Sequence, residues 1–281
     1  MTIKTYRELF KAQLSSLYPQ EEISSFEQLA FAKYTTYTPA MLVMHANQEL
    51  AKEESVALNT VLERLQYQEP IQYILGDTEF YGLPFQVNPA TLIPRPETEE
   101  LVDWILTDLD EKQAYTILDI GTGSGCIGIS LKKNRPAANV VAYDISLDAL
   151  DTAQANAQLN KAQVQFEQID ILKTTTLSST FDCIVSNPPY VRQQEQEHMK
   201  PNVLDYEPHQ ALFVPDDDAL VFYKHIGKLA KQSLTANGVL FFEINQYLGT
   251  TTVNLLKDIG FTTVELRKDL SGNDRMIKAS I

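Results

Sequence analysis

Two short stretches of this 281-residue chain combine residue types that could do chemistry. The first is Asp119-Ile120-Gly121-Thr122-Gly123-Ser124-Gly125, which comes after an apolar run and opens a helical pattern. Glycines at a strand-to-helix turn let the backbone approach a ligand closely. In an open α/β sheet, ligands sit at the carboxyl ends of the strands. A dinucleotide-binding turn would need G-x-G-x-x-G, but Cys126 holds the third place and Gly125 comes one residue early. Asp144 ends the next strand pattern, where a carboxylate can accept both hydrogens of a ribose diol, and Asp170 ends the third. The second stretch, Asn187-Pro188-Pro189-Tyr190, comes after a fourth apolar run, Phe181-Asp182-Cys183-Ile184-Val185-Ser186. Consecutive prolines end a sheet ladder and stiffen the backbone around them. A rigid turn accounts for the prolines alone, not for an Asn before them and an aromatic after them.

That second pattern suits holding a planar NH₂ nitrogen in place for reaction. An amide or exocyclic amino nitrogen has a delocalised lone pair and two hydrogens. The Asn187 side-chain oxygen and the Pro188 carbonyl can hold those hydrogens, orient the nitrogen and favour the charge developing on it. Tyr190 offers a ring face on which a flat group can stack. An adenine N6 and a glutamine side-chain amide both present such an NH₂, so the tetrapeptide does not separate them.

The elements that must position these groups are legible in the patterning. Strand candidates fall at 116–120, 139–144, 164–169, 181–186 and 238–244, alternating with helical patterns at 124–133, 147–159, 218–235 and 247–259. Such alternation implies a mostly parallel sheet covered on both faces. Two further candidates, 262–267 and 275–281, have no helix between them and are expected to pair antiparallel at an edge, making seven strands. Residues 1–75 read as helical: Tyr6, Leu9, Phe10, Leu14 and Leu17 share one face, as do Leu58, Val61, Leu62 and Leu65. Ser24-Ser25-Phe26-Glu27 offers a capping box, and Thr38-Pro39 an N-cap with Pro at the first helical position. Residues 76–93, with Phe80-Tyr81-Gly82-Leu83-Pro84-Phe85, suggest a linker hairpin, and a helix is expected to begin near Pro96 within a catalytic domain over 94–281.

Composition narrows the class. Apolar residues are 44% and charged residues 21%, which suits a globular protein with a core. The formal charge of −14 disfavours gripping nucleic acid by its phosphates. Six basic against nine acidic residues in 1–75 leave −3 there and −11 beyond, so neither part is basic. No apolar run reaches the ~18 residues that span a bilayer. Cys126 and Cys183 lie in apolar stretches and are expected as reduced core thiols of a cytoplasmic protein. His45, His198, His209 and His225 make no metal-ligand spacing, and Asp216-Asp217-Asp218 reads as a solvated helix start.

The glycine loop resembles the cofactor loop of Rossmann-like S-adenosylmethionine-dependent methyltransferases. Their ligand has no pyrophosphate, and Asp119 can receive its cationic amine. More widely, the chain resembles the HemK/PrmC family, the peptide chain release factor N(5)-glutamine methyltransferases. The matching blocks are Glu69-Pro70-Ile71-Gln72-Tyr73-Ile74-Leu75-Gly76, Glu79-Phe80-Tyr81-Gly82 and Leu92-Ile93-Pro94-Arg95-Pro96-Glu97-Thr98-Glu99. They continue through Gly121–Gly125, Asn187–Tyr190, Tyr206-Glu207-Pro208 with Ala211-Leu212, and Glu243-Ile244. The resemblance implies a small N-terminal helical bundle that helps recognise substrate, followed by a class I methyltransferase domain. It implies S-adenosylmethionine as cofactor, S-adenosylhomocysteine as product, and the glutamine of the Gly-Gly-Gln motif of class I release factors as target. A ribosomal-protein glutamine is the nearest alternative substrate, and adenine N6 a further one. Cofactor contacts would come from Asp119, Gly121–Gly125, Asp144, Asp170, Ile171 and Asn187, and substrate contacts from Asn187–Tyr190 with Arg95. Arg95 is expected either to pair with Glu97 or Glu99, or to order the active-site wall. Tyr206-Glu207-Pro208 is expected to form part of a lid. No direct nucleic-acid or membrane partner is expected, and the protein is expected as a monomer. Asn245 stands where the family often has Gly, and Ile171 where some relatives carry an aromatic ring. Neither departure is expected to touch the methyl-transfer loop.

Overall fold

The computed structural model describes residues 1–111 and 113–281; the side chain of His198 lies outside what it describes. These residues form two compact units, Met1–Gly76 with Lys200–Tyr206, and Asp77–Met199 with Glu207–Ile281.

The first unit holds α1 (Ile3–Leu14), α2 (Gln20–Tyr34), α3 (Pro39–Met44), α4 (Lys52–Gln66) and α5 (Ile71–Leu75). Apolar residues at helical spacing drive its assembly: Tyr6, Phe10 and Leu14 of α1 and Leu58, Val61, Leu62 and Leu65 of α4 are all buried in one cluster. Each such side chain contributes about 1.5–3 kcal/mol by leaving water. Tyr6 is fully buried because its hydroxyl donates to the Leu58 carbonyl at 2.6 Å, so no polar atom is stranded. Leu17 lies beyond the end of α1 and is exposed. Thr38 caps α3 as expected, accepting from Met41 N. Ser24 does not start a helix. It sits inside α2, its hydroxyl bonded back to the Gln20 carbonyl at 2.8 Å, because the helix already begins after Pro19 with Glu21 and Glu22 in its first turn.

The second unit opens with a hairpin, β1 (Asp77–Phe80) and β2 (Leu83–Gln86). Tyr81 and Gly82 both take positive φ, the backbone of a two-residue hairpin turn. Rather than a free linker, the hairpin is part of this unit's core: Phe80 and Phe85 are buried there, and Asn156 binds both backbone groups of Gln86. Next come α6 (Pro96–Asp108), β3 (Thr116–Ile120), α7 (Cys126–Asn134), β4 (Asn139–Asp144), α8 (Leu147–Leu159), β5 (Val164–Gln168), β6 (Phe181–Ser186) and the short β7 (Val191–Arg192). After α9 (Pro201–Leu204), which belongs to the first unit, come α10 (His209–Leu212) and β8 (Phe213–Val214). The last elements are α11 (Val221–Ser233), β9 (Leu234–Glu243), α12 (Gly249–Ile259), β10 (Thr263–Lys268) and β11 (Asp274–Ser280).

Seven strands make one sheet in the order β10-β11-β9-β6-β3-β4-β5. The five strands from β9 to β5 are parallel, and β11 and β10 close one edge antiparallel. This is the α/β class I methyltransferase architecture. Burial on both faces explains the near-continuous apolar run of β9: Phe241 packs edge-on to Trp104 on one side and Phe242 edge-on to Tyr223 on the other. Cys126 and Cys183 are buried and unbridged. Among the described residues, no helix is long and apolar enough to cross a membrane.

Candidate active site

Register decides what can meet. In the parallel ladder Ile120 of β3 lies opposite Ser186 of β6, and Ser186 lies opposite Phe242 of β9. The Gly121–Gly125 loop, the Asn187–Tyr190 loop and the Glu243-Ile244 step therefore leave the same edge of three neighbouring strands. The Ser186 hydroxyl ties two of those ends together, donating to the Ile120 carbonyl at 2.7 Å.

The glycine loop is held from beneath by its own neighbourhood. Gly121 N and Thr122 N both donate to the Tyr143 carbonyl, at 2.8 and 3.0 Å. Asp119 Oδ2 accepts from Thr122 Oγ1 at 2.7 Å and from Gly128 N at 3.0 Å. Asp144 accepts from Gly123 N at 2.8 Å and Ser146 N at 2.9 Å, which leaves lone pairs on both of its oxygens. Gly125 has φ +82°, and a Cβ there would lie 2.8 Å from Ile129 Cδ1, so glycine permits the close packing of α7. Above Gly121 and Gly123 a Cβ would meet nothing within 4 Å, which leaves the outer side of the loop open.

Asp119 differs from its expected role. It is 0% exposed, so an incoming amine cannot touch it directly in this conformation; its carboxylate braces the loop instead. Burial pushes its pKa up to about 6, against the lowering hydrogen bonds from Thr122 and Gly128, and the nearby negative charge of Asp144 adds to the rise. Its Oδ1 has no hydrogen-bond partner among the described residues. Thr122 and Ser124 are also buried, so this loop offers a ligand backbone rather than side chains. An open glycine cradle, spare acceptor sites on Asp144 and an unpaired carboxylate oxygen beneath fit a ligand with a ribose and a cationic end. Asp170 lies two residues past β5, capping the turn Ile171–Lys173 and pairing with Lys173 at 2.8 Å, an interaction that holds its carboxyl below the ordinary range. Ile171, expected as a ligand contact, packs into the core with Leu118, Ile120 and Tyr143; the exposed apolar side chain of that turn is Leu172.

The Asn187 loop is held by distant partners. Asn187 Nδ2 donates to Thr98 Oγ1 at 3.3 Å, and Thr98 donates onward to Glu243 Oε2 at 2.7 Å. The Tyr190 hydroxyl donates to the other oxygen, Glu243 Oε1, at 3.0 Å. Among the described residues no donor reaches Asn187 Oδ1 or the Pro188 carbonyl, the two acceptors the chemistry calls for. Burial raises the Tyr190 phenol, and the Glu243 charge raises it further. Burial also raises the Glu243 carboxyl, opposed by the hydroxyls of Thr98 and Tyr190 and by Arg275.

One alternative for Arg95 falls away here, and the reading of Asn245 changes. Among the described residues Arg95 pairs with neither Glu97 nor Glu99; a Glu99 oxygen accepts from Tyr81 N at 2.9 Å. Arg95 instead binds Glu207, whose second oxygen accepts from Ile93 N at 3.2 Å. Glu207 is buried, so this segment anchors the run Ile93–Pro96 from which α6 and Thr98 emerge. Asn245 does reach the loop: its Nδ2 donates to the Tyr190 carbonyl and to Glu195 Oε2, both at 3.0 Å. Glycine could make neither bond. Thr98 and Glu243 were legible only as members of matching blocks. Nothing in their local spacing marks them as partners of Asn187.

A release factor glutamine methyltransferase of Flavobacterium psychrophilum is 50% identical to this chain over 100% of its length and 99% of the relative's. The chain belongs to the release factor glutamine methyltransferase family. A second member, from Bacteroides thetaiotaomicron, is 42% identical over 96% of this chain and 97% of its own. The family model described as PrmC N-terminal domain matches residues 7–76, and that described as methyltransferase small domain matches residues 101–205. In fold, the chain is similar to a T. thermophilus 16S rRNA methyltransferase solved with AdoMet and guanosine. That likeness has a TM-score of 0.53 at 20% identity and covers 73% of this chain and 49% of the other.

Proposed function

We propose that this enzyme methylates the side-chain amide nitrogen of the glutamine in the Gly-Gly-Gln motif of class I release factors. S-adenosylmethionine, as methyl donor, would supply an activated methyl group and leave as S-adenosylhomocysteine, one proton of the amide nitrogen being released to solvent after the transfer. Gly121, Gly123 and Asp144 would hold that cofactor through backbone and carboxylate contacts, over the brace that Asp119 provides. Asn187 Oδ1 and the Pro188 carbonyl accept the two hydrogens of the target amide, which fixes its plane and draws charge away as the nitrogen becomes more positive. Tyr190, locked by its hydroxyl, flanks the flat group with its ring.

The observation that carries this assignment is the hydrogen-bond direction at Asn187, which leaves its oxygen as the acceptor, in a chain half identical to a full-length family member. The acid excess of the chain further favours a protein amide over a nucleic-acid base. The test mixes purified protein and radiolabelled S-adenosylmethionine with recombinant release factor, either intact or with Gln→Ala in its Gly-Gly-Gln motif. Label should enter only the intact factor. Equal labelling of both would overturn the assignment.

A further inference from the structure

Glu243 is a buried carboxylate that the chemistry above does not use, yet it touches the supports of both ends of the Asn187–Tyr190 loop. It is 1% exposed and Thr98 3%. A carboxylate only accepts, and a threonine hydroxyl has a single hydrogen. With Thr98 donating that hydrogen to Glu243, its oxygen can only accept from the next neighbour. That neighbour is Asn187, which must then turn Nδ2 toward Thr98 and Oδ1 away from it. The opposite flip would set two acceptors against each other. At the far end of the loop, the second oxygen of the same carboxylate fixes the Tyr190 ring.

We propose that Glu243 is a positioning residue for methyl transfer. Through the Thr98 hydroxyl it selects which end of the Asn187 amide meets the target nitrogen, and through the Tyr190 hydroxyl it sets the flanking ring. This rests on Asn187 acting as acceptor for the target amide. Proton inventory gives the relay a signature. When Glu243 is protonated it can donate to Thr98, the Thr98 hydrogen turns to Asn187, and the amide flips to present NH₂ to NH₂. The rate therefore falls on the acid side. The groups facing Glu243 are Glu97 and Thr98 from α6, Cys126 from α7, Tyr190 from the loop, Tyr223 from α11 and Arg275 from β11. Burial, the largest influence, and Glu97 oppose the ionised form, while the hydroxyls of Thr98 and Tyr190 and the charge of Arg275 favour it; the balance raises the carboxyl, so the acid limb lies above the ordinary carboxylate range.

The test compares wild type, E243Q, T98V, T98S and N187A in release-factor labelling across the acid limb, with cofactor affinity measured by calorimetry. T98V should lose about 10²-fold in kcat with KM and cofactor affinity nearly unchanged, as for loss of a transition-state hydrogen-bond partner. E243Q, whose amide can turn either end to Thr98, should lose less. T98S, which keeps the hydroxyl, should recover most of that rate. The acid limb should vanish in E243Q. Wild-type kcat in T98V and E243Q, beside a crippled N187A, would overturn the relay while leaving the role of Asn187 standing. An unimpaired N187A would overturn the role of Asn187 itself. An E243Q protein that loses cofactor binding while T98V turns over normally would make Glu243 structural and also overturn the relay.

Discussion

The two loops at the carboxyl edge of the sheet are built in opposite ways. The Gly121–Gly125 loop is secured by partners 3, 9 and 21 residues apart in sequence: Asp119 with Thr122, Asp119 with Gly128, and Gly123 with Asp144. The Asn187–Tyr190 loop is secured across 89, 145 and 53 residues, by Thr98 on Asn187, Glu243 on Thr98, and Glu243 on Tyr190. The first presents backbone and open space. The second presents one side-chain acceptor, Asn187 Oδ1, beside the Pro188 carbonyl, with the Asn187 NH₂ held on the buried Thr98 hydroxyl. A loop that holds a cofactor needs room and fixed N–H groups, which local turns supply. A loop that orients a reacting nitrogen needs side-chain dipoles held in place, which requires packing from several elements.

The contrast predicts separable losses. The largest belongs to Asn187→Ala: kcat should fall by about 10²–10³-fold, or about 2.7–4 kcal/mol, with cofactor affinity intact. Single-turnover labelling beside calorimetry reads both, and a matching loss of affinity would erase the distinction between the loops. Next in size is Gly125→Ala, where a positive φ and a 2.8 Å contact with Ile129 Cδ1 should cost about 2 kcal/mol of stability. Thermal unfolding and cofactor titration should both report it, while kcat at saturating cofactor changes little.

A smaller effect comes from Asp119, raised from 3.8 to about 6. Its protonated form favours the fold, so that contribution is complete below the unfolded value and is lost as pH rises through about 6. Cofactor binding has the opposite sign, since a cationic amine gains only from the ionised brace. Affinity should weaken as pH falls through about 6, and Asp119→Asn should flatten the curve. A slope that persists in Asp119→Asn would assign it to another group. The smallest expected effect is that of Asn245→Gly, which removes the tie to the Tyr190 carbonyl for about 1 kcal/mol or less and a few-fold in kcat. A loss as large as that of Asn187→Ala would make Asn245 part of the loop's working geometry.

Much of the scaffold is legible in the sequence. The strand patterns at 116–120, 139–144 and 181–186 match β3, β4 and β6 residue for residue, and the helical pattern at 147–159 matches α8. These segments are buried on a regular period, so composition and spacing suffice. The site is legible unevenly. Gly121, Gly123, Asp144 and Asn187 lie together at one sheet edge as expected, because strand order and strand ends derive from the βαβ alternation. Ile171 packs into the core, and of the two readings of Arg95 the fold makes the one in which it orders the wall beside Thr98 rather than a local ion pair. A hydrophobic residue after a strand can face either ligand or core, and an arginine among three glutamates takes whichever carboxylate the fold buries beside it.

The sequence by itself determined that helices precede an alternating sheet, that a glycine turn and an Asn-Pro-Pro-Tyr turn end two of its strands, and that an NH₂ group is what the second turn can hold. Tertiary structure alone decided that Glu207 is the partner of Arg95, that the Asp119 carboxylate is buried against Thr122 and Gly128, and that Asn187 Nδ2 meets a Thr98 hydroxyl committed to Glu243. The reason is range. Turns and amphipathic periods arise from neighbours within a few residues, whereas the direction of a buried hydrogen bond depends on which distant donor or acceptor the strand register and helix packing bring beside it.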